Sequence, residues 1–515
     1  MAAQFAISVS QLTASLPEAR TQGDLNTVIH GITHDSRQVN PGDLFVCLAG
    51  ASHDGHRFAA KAVECGAAAL LVNEGGLQSA GIEVPPSAGV ITVPDTRKAL
   101  PRAACALFGD PSQSMTMVGV TGTNGKTTTT RMVASILRAS GLKVGTIGTL
   151  GTELDGTPMP SEHTTPEANQ LQALLAEMRD AGANAVVMEV SSHALAQNRT
   201  DGIAFSAAIF TNLTQDHLDF HGTMDAYFAS KARLFADYPH RYPRQDGSGF
   251  VAAINASAWE GKYLSSMANG EVVTFALGNE PAALKPENVR VHPDYTEFDA
   301  VYSGAGHEFR VPIRLAVGGT FQVGNALAAI AATLGLGISW DKIAEGLAKM
   351  PPVAGRFESV PMGDRGFSVI VDYAHTPDGL ENVLRSAGEL EPARILTVFG
   401  CGGNRDRTKR PIMGRLAAEL SDVAVVTSDN PRHESPQAII DEILTGIPAN
   451  GSAHAAVLVE PDRRKAIHLA LSQACPGDLV LIAGKGHEDY QIVGDQVLPF
   501  DDRQVAREWH AREAG

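Results

Sequence analysis

A glycine, a lysine and a hydroxyl residue stand in a row at Gly125-Lys126-Thr127, inside Gly122-Thr123-Asn124-Gly125-Lys126-Thr127-Thr128. Glycines let backbone N–H groups converge on phosphate oxygens, and a helix that begins there adds positive potential. Lys126 then faces the β- and γ-phosphates of a nucleoside triphosphate, and the Thr127 hydroxyl faces Mg²⁺. The full phosphate-loop formula asks for glycine where Val120 stands. The match is therefore to the Gly-Lys-Thr core in its context, and an ordinary glycine-rich turn is the competing reading.

Other polar clusters have chemical potential. His163-Thr164-Thr165, Glu189-Val190-Ser191-Ser192-His193, Thr211-Asn212 and Asp216 to His221 follow the glycine loop. Zinc on His217, Asp219 and His221 lacks a typical ligand spacing. Mg²⁺ takes one or two carboxylates with phosphate oxygens and water, which suits Glu189 beside Thr127. Further on come Asp372 to Pro377, Gly400 to Arg407, Asp429-Asn430-Pro431-Arg432 and Gly484 to Glu488. Asp35-Ser36-Arg37 is either a polar turn or a loop for an anionic ligand.

These residues need elements to position them. The apolar run Met115 to Val120 predicts a strand, and Lys126 to Ala139 a helix that Gly141 can end. At 515 residues the chain allows about three domains. Residues 1–110 predict a small α/β domain, with strands at Leu44 to Leu48, Ala67 to Val72 and Val90 to Val93 and a helix at Phe58 to Cys65. Gly109 to Ser112 reads as a linker. Residues 111–350 predict strands at Lys143 to Thr149, Ala185 to Val190, Ala207 to Asn212 and Phe250 to Asn255, a hairpin over Glu297 to Val311, and a core helix with one polar face from Phe321 to Leu334. Alternation with helices implies a parallel sheet covered on both faces, with ligands at the carboxyl ends of the strands. Residues 351–515 repeat the pattern, with strands at Ser368 to Asp372, Ile395 to Phe399, Val423 to Thr427 and Leu479 to Ile482, each closed by a polar cluster. The fold class is α/β: a central P-loop parallel-sheet ATPase domain flanked by a small N-terminal α/β domain and a C-terminal Rossmann-like domain.

Composition narrows the class. There are 41 basic and 57 acidic residues, a net charge of −16, and no basic tract, which speaks against nucleic acid. The 5 cysteines are scattered without a CxxC pair, as expected of buried thiols in a reducing cytoplasm. The N-terminus lacks a signal-peptide pattern, and no run nears the ~18 apolar residues of a membrane span.

Taken in order, Thr121 to Thr128, Glu189 to His193, Asp216 to Gly222, Gly355-Arg356-Phe357-Glu358 and Asp372 to Pro377 resemble the Mur ligase family, the ATP-dependent amide-forming enzymes of peptidoglycan precursor synthesis. The resemblance covers nearly the whole chain. Within the family it is to the members that add the third amino acid, and Asp429-Asn430-Pro431-Arg432 is the motif associated with meso-diaminopimelate.

The resemblance implies that ATP phosphorylates the D-glutamyl side-chain carboxylate of UDP-N-acetylmuramoyl-L-alanyl-D-glutamate, and that the amine of diaminopimelate displaces the phosphate. It implies a monomeric cytoplasmic enzyme with Mg²⁺. Thr127 and Glu189 become metal ligands, His217 a ligand to a second metal, and Lys231 a carbamylated lysine that binds or orients Mg²⁺. On residue type alone Lys231 reads as a solvated helix lysine. The sugar-dipeptide falls to Ser36, with His34, Ala51, Ser52 and His53, and to Thr164, Thr165, Ser191, Gln197 and Arg199. His163 stands where the family often has asparagine. Asn325, Arg356 and Asp372 join residues 122–128 as ATP contacts. The incoming amino acid falls to Arg405, Asp429, Asn430, Pro431, Arg432, Gly484 and Glu488. There Arg432 can pair twice with the distal carboxylate while Glu488 holds the ammonium. Lysine would leave that arginine unpaired. Closure of the third domain over the substrates is expected. The alternatives are the same ligase using L-lysine, a folylpolyglutamate synthase-like ligase, and a nucleotide-binding regulator.

Overall fold

The structure is a computed structural model that describes residues 5–50, 54–85, 88–160, 163–304, 307–448 and 454–514. Its strands fall into three large sheets and two small two-stranded ones.

The central sheet has 11 strands. Its parallel middle runs Val144–Gly148, Ala185–Glu189, Thr116–Thr121, Ala207–Phe210, Val251–Asn255 and Glu271–Phe275. Except for the outer strand Glu271–Phe275, these strands are buried on both faces because helices cover both. Helices Lys126–Ala139, Phe321–Gly335 and Trp340–Lys349 pack one face through Met132, Ile136, Leu327, Ile330 and Leu347. Ala168–Asp180 and Met224–Ala236 pack the other through Leu171, Leu175, Leu234 and Phe235.

Four expectations are corrected here. The sheet is mixed: Gly151–Leu154 and Thr157–Met159 run antiparallel at one edge, and Leu284–Val291, Thr296–Gly304 and His307–Leu315 form an antiparallel meander at the other. Edge strands with one wet face carry no continuous apolar run, so they escape a search for one. The hairpin itself lies where expected. Helix Phe321–Gly335 has no broad polar face, since Gln322, Asn325 and Thr333 are buried with its alanines. The helix expected from Phe58 begins as a 3₁₀ turn, Gly55–Phe58, capped by Asp54, and becomes α-helical at Ala59–Glu64. Cys47, Cys105 and Cys401 are buried thiols, but Cys65 and Cys475 are exposed.

The N-terminal sheet has five strands, four of them parallel in the order Gly31–Thr33, Asp43–Val46, Ala69–Asn73 and Gly89–Val93. Helix Thr96–Phe108 covers it and packs Leu100 and Ala104 toward Ala168 and Ala176 of the central body. The C-terminal sheet has six strands in the order Glu358–Ser359, Ser368–Asp372, Leu479–Ala483, Ile395–Phe399, Val423–Val426 and Ala456–Val459. All but the first pair are parallel. Ala456–Val459 is a half-exposed edge strand and was not expected. Among the described residues no helix is long and apolar enough to cross a membrane.

Candidate active site

Strand Thr116–Thr121 leads into the glycine loop, one neighbour ends in Glu189, and the other, Ala207–Phe210, is followed by Thr211. Gly122 has φ +149°, and a Cβ there would collide with Thr211 Oγ1, so only glycine fits. The loop is tied to the next strand end: the Asn124 N–H donates to Asn212 Oδ1 at 2.8 Å, and Thr211 Oγ1 donates to the Asn124 carbonyl at 2.6 Å. Helix Lys126–Ala139 then starts after Gly125 with no side-chain cap. Its first N–H groups are left to serve an anion.

Two lysines meet at this loop. Lys126 Nζ donates to the carbonyls of Gly122 and Thr123 at 3.1 and 2.7 Å. Lys231, on helix Met224–Ala236, donates to Gly122 O at 2.8 Å and is only 1% exposed. The expectation from residue type, a solvated lysine, is thus overturned, because the helix turns this position inward beside Tyr227 and Leu234. Burial first, and the charge of Lys126 second, hold the Lys231 amine well below its ordinary pKa. Burial also lowers Lys126, while Glu189 and Asp216 oppose that shift.

Glu189 is buried, and both its oxygens are engaged: Oε1 accepts from the Thr149 N–H at 2.8 Å and Oε2 from Thr149 Oγ1 at 3.1 Å. It shares a small niche with Thr127. His217 adopts φ +54° and sits 3.3 Å from Asp216 Oδ2. Partial burial, followed by the two lysines, lowers its pKa against the pull of Asp216. His193 packs against His217 and Phe220, with ring centroids 4.7 and 4.3 Å apart. Among the described residues no group of three His, Cys, Asp or Glu side chains is placed to hold a metal unaided, so zinc on His217, Asp219 and His221 finds no support.

A cavity of about 850 Å³ collects most of the expected residues. The whole stretch from Gly122 to Thr128 lines it, as do Glu189, His217 and Lys231. His163, Thr164, Thr165, Ser191 and Arg199 line it on one side, and Asn325, Arg356, Asp372 and Arg405 on the other. Thr165 Oγ1 donates to the Glu189 carbonyl at 2.8 Å, and Thr164 and Thr149 share a hydroxyl contact at 3.2 Å. Ser191 Oγ caps the short helix Ser192–Ala196. Gln197 stands behind the wall and accepts from Arg199 Nε at 2.9 Å, while Glu167 lies 3.1 Å from the same nitrogen.

His34 and Ser36 do not line this cavity. His34 Nδ1 meets Asn169 Oδ1 at 3.2 Å, which joins the N-terminal sheet to the central body. Ser36 sits in a turn closed by Arg37 on Asp35 at 2.7 Å. Ala51, Ser52 and His53 lie outside the described residues.

The C-terminal sheet reaches the phosphate loop directly. Arg356 Nη2 donates to Thr127 Oγ1 at 3.3 Å, and its guanidinium lies 4.6 Å from the Tyr373 ring centroid. Asp372 accepts from the Phe357 and Ala374 N–H groups at 2.7 and 2.8 Å and so shapes the Arg356 loop, while burial raises its pKa. Asn325 lies over Gly125 and within 3.5 Å of Thr129 Oγ1. Asp378 was missed: it accepts from Asn124 Nδ2, from Thr214 Oγ1 at 3.1 Å and from Asn382 Nδ2 at 3.1 Å. Its only signal was an acidic residue in the first turn of helix Pro377–Gly388, which ordinarily serves the helix dipole.

Apart from Arg405, the residues expected to hold the amino acid form a neighbouring cluster. Asn430 Nδ2 donates to Glu488 Oε2 at 2.9 Å. Arg432, at φ +51°, donates to the Gly403 carbonyl at 3.0 Å, and Pro431 lies between Asn430 and Arg432 in the chain. Gly484, at φ +119°, is required because a Cβ would come within 2.8 Å of Asp429 Oδ2. Lys485, wholly buried among these groups, was missed, because lysine is by default a solvated residue.

The comparisons with known proteins agree with this geometry. Residues 28–107 match the family described as Mur ligase family, catalytic domain; residues 120–333 match the Mur ligase middle domain; and residues 355–486 match the Mur ligase, glutamate ligase domain. A protein of Geobacillus thermodenitrificans named UDP-N-acetylmuramoyl-L-alanyl-D-glutamate--2,6-diaminopimelate ligase is 42% identical over 501 residues, 97% of this chain and 99% of its own. A protein of the same name from Gloeobacter violaceus is 48% identical over 93% of each chain. A solved structure under that name superimposes with a TM-score of 0.68 at 29% identity, over 99% of this chain and 100% of its own. With matching segments through all three sheets and relatives this similar along nearly the entire length, the chain belongs to the Mur ligase family.

Proposed function

We propose that the chain is an ATP-dependent ligase that adds meso-2,6-diaminopimelate to the D-glutamyl side-chain carboxylate of UDP-N-acetylmuramoyl-L-alanyl-D-glutamate. The observation that carries this reading is the bond from Arg356 to Thr127, which ties the C-terminal sheet, on whose loops the amino-acid cluster lies, to the phosphate loop. The choice of diaminopimelate rests on Arg432 beside Asp429 and Glu488, and on the names of the relatives. We divide the chain into residues 1–110 for the uridine-diphospho sugar, 111–350 for ATP and 351–515 for the amino acid, a division supported by the extents of the three sheets.

The chemistry follows from the site. Backbone N–H groups of Gly122 to Thr128 cradle the phosphates, and Lys126 exchanges two carbonyls for β- and γ-phosphate oxygens. Thr164, Thr165, Ser191 and Arg199 hold the sugar-dipeptide with its glutamyl carboxylate toward the γ-phosphorus. A carboxylate oxygen forms the new bond to phosphorus, the bond to the β-phosphate oxygen breaks, and ADP is left. The amine of diaminopimelate then attacks the acyl carbon, phosphate departs, and the amine gives up a proton. Arg356 balances charge on the transferring group, and the closed cleft excludes water from the acyl phosphate.

The Thr127 hydroxyl and Glu189 carboxylate share one niche, and with phosphate oxygens they make the hard-oxygen donor set that Mg²⁺ requires. Mg²⁺ held there neutralises phosphate charge. We assign a second ion to His217 and to Lys231 in its carbamate form. Lys231 qualifies because burial favours its neutral amine, which adds to CO₂ with loss of a proton and so becomes an anion where lysine is ordinarily a cation. The substrates and the cysteine pattern support a cytoplasmic enzyme, and we take it to act as a monomer.

The test is phosphate release from ATP and UDP-N-acetylmuramoyl-L-alanyl-D-glutamate, with meso-diaminopimelate or L-lysine as acceptor. Release that depends on diaminopimelate and is lost in Arg432→Ala is the expected result. Preference for lysine would remove the specificity reading, and release without any acceptor dependence would remove the ligase reading.

A further inference from the structure

One buried cation has no part in this mechanism. Lys485 lies between Gly484 and Gly486 with its side chain fully enclosed, 0% exposed. Its Nζ is 3.0 Å from Asn430 Oδ1, 3.2 Å from Glu488 Oε2 and 3.8 Å from Asp429 Oδ1. A buried ammonium is tolerated only when paired and hydrogen-bonded, and here its partners are three of the groups assigned to the incoming amino acid, Glu488 of its distal end among them.

The contacts close a ring. Lys485 donates to Asn430 Oδ1, Asn430 Nδ2 donates to Glu488 Oε2 at 2.9 Å, and Lys485 donates to the same Glu488 oxygen. The Ile492 N–H also donates to Asn430 Oδ1 at 3.0 Å, so two donors set the orientation of that amide. Arg463 lies below in a buried pair with Asp502 at 2.7 Å and brings no net charge. Apart from Arg405, which lines the main cavity, the cluster contains two carboxylates, Asp429 and Glu488, and two cations, Lys485 and Arg432. The distal end of diaminopimelate, one ammonium and one carboxylate, is neutral in the same way, whereas the distal end of L-lysine is a lone cation.

We infer that Lys485 is a positioning residue that sets the charge of this subsite, orienting Asn430 and Glu488 and matching the pocket to a zwitterionic amino-acid end. The inference rests on the ligase reading above. Without Lys485 the pocket would carry an excess negative charge and favour a lone ammonium.

The experiment compares Lys485→Met, Lys485→Gln and Lys485→Arg with the unaltered enzyme. It reads acceptor-dependent phosphate release with diaminopimelate and with L-lysine, and the KM for ATP. The Met and Gln variants are expected to raise the KM for diaminopimelate by about tenfold or more and to lower the diaminopimelate-to-lysine ratio of kcat/KM by a similar factor. Their KM for ATP should stay within about twofold. The Arg variant, which keeps the charge, should retain most of the ratio. Should the Met variant not fold, Gln carries the test, since it keeps a donor for Asn430 but no charge. An unchanged acceptor ratio in a folded, charge-free variant overturns the inference alone, as does a parallel loss for ATP and diaminopimelate. Absence of diaminopimelate-dependent release in the unaltered enzyme overturns the ligase reading, and this inference with it.

Discussion

Lys126 and Lys231 direct their amines at one oxygen, the Gly122 carbonyl, from 3.1 and 2.8 Å. Two ammonium groups on one buried acceptor repel each other, and the more enclosed of the two is driven toward its neutral form. With ¹³C-bicarbonate, a carbamate carbonyl resonance is expected in the unaltered protein and not in Lys231→Ala. Turnover of that variant should drop by about 10²-fold or more, with partial recovery on adding a short carboxylate such as formate. A resonance that persists in Lys231→Ala, or a variant of full activity, would count against the assignment.

Arg356 spans from the C-terminal sheet to Thr127. Arg356→Ala should lower kcat by about 10²-fold, and Arg356→Lys should recover only part, because an ammonium lacks the planar fork and stacks less well on Tyr373. Steady-state kinetics at saturating ATP and acceptor check this, and equal activity of the Lys and Ala variants would refute the role given to the guanidinium.

Asp378 gathers donors from Asn124 and Thr214 of the central body as well as from Asn382 of its own helix. Asp378→Ala strands those donors and weakens closure of the cleft. Its KM for ATP should rise by about tenfold, in keeping with loss of hydrogen bonds to a charged group. Small-angle scattering under saturating ligands should show a larger radius of gyration than for the unaltered protein. Identical scattering curves would remove Asp378 from closure.

Acid should loosen the fold through its buried histidines. His487 is held down to about 4 by burial and then by Arg356, and burial also lowers His375. In the unfolded chain both titrate near ~6.5. Between the two values the unfolded state binds protons that the folded state does not, so stability is full above about 6.5 and is lost as pH falls toward about 4. The thermal midpoint should therefore decline across that window, and less steeply in His487→Gln. A flat profile in the unaltered protein would contradict this account.

Much of the site was legible because its signals are local. Strand, glycine turn and helix around Lys126 depend on residues within about two turns of one another, and helix Lys126–Ala139 has the bounds its period implies. Glu189 and Asp372 at strand ends, and Asp429 and Gly484 just beyond them, follow from apolar runs bounded by polar clusters. The antiparallel edges were not legible, since a half-wet strand such as Gly151–Leu154 has no run to find.

Chain order and residue type alone determined the three α/β units, the glycine loop between strand and helix, and the set of residues that resemble the family's motifs. Only tertiary structure decided which charged groups are enclosed. Lys231 meets Gly122 across 109 residues, Asn124 meets Asp378 across 254, and Lys485 meets Asn430 across 55. The pKa and pairing of a lysine or carboxylate depend on what packs around it, and packing at such separations is a property of the folded sheets rather than of any local pattern.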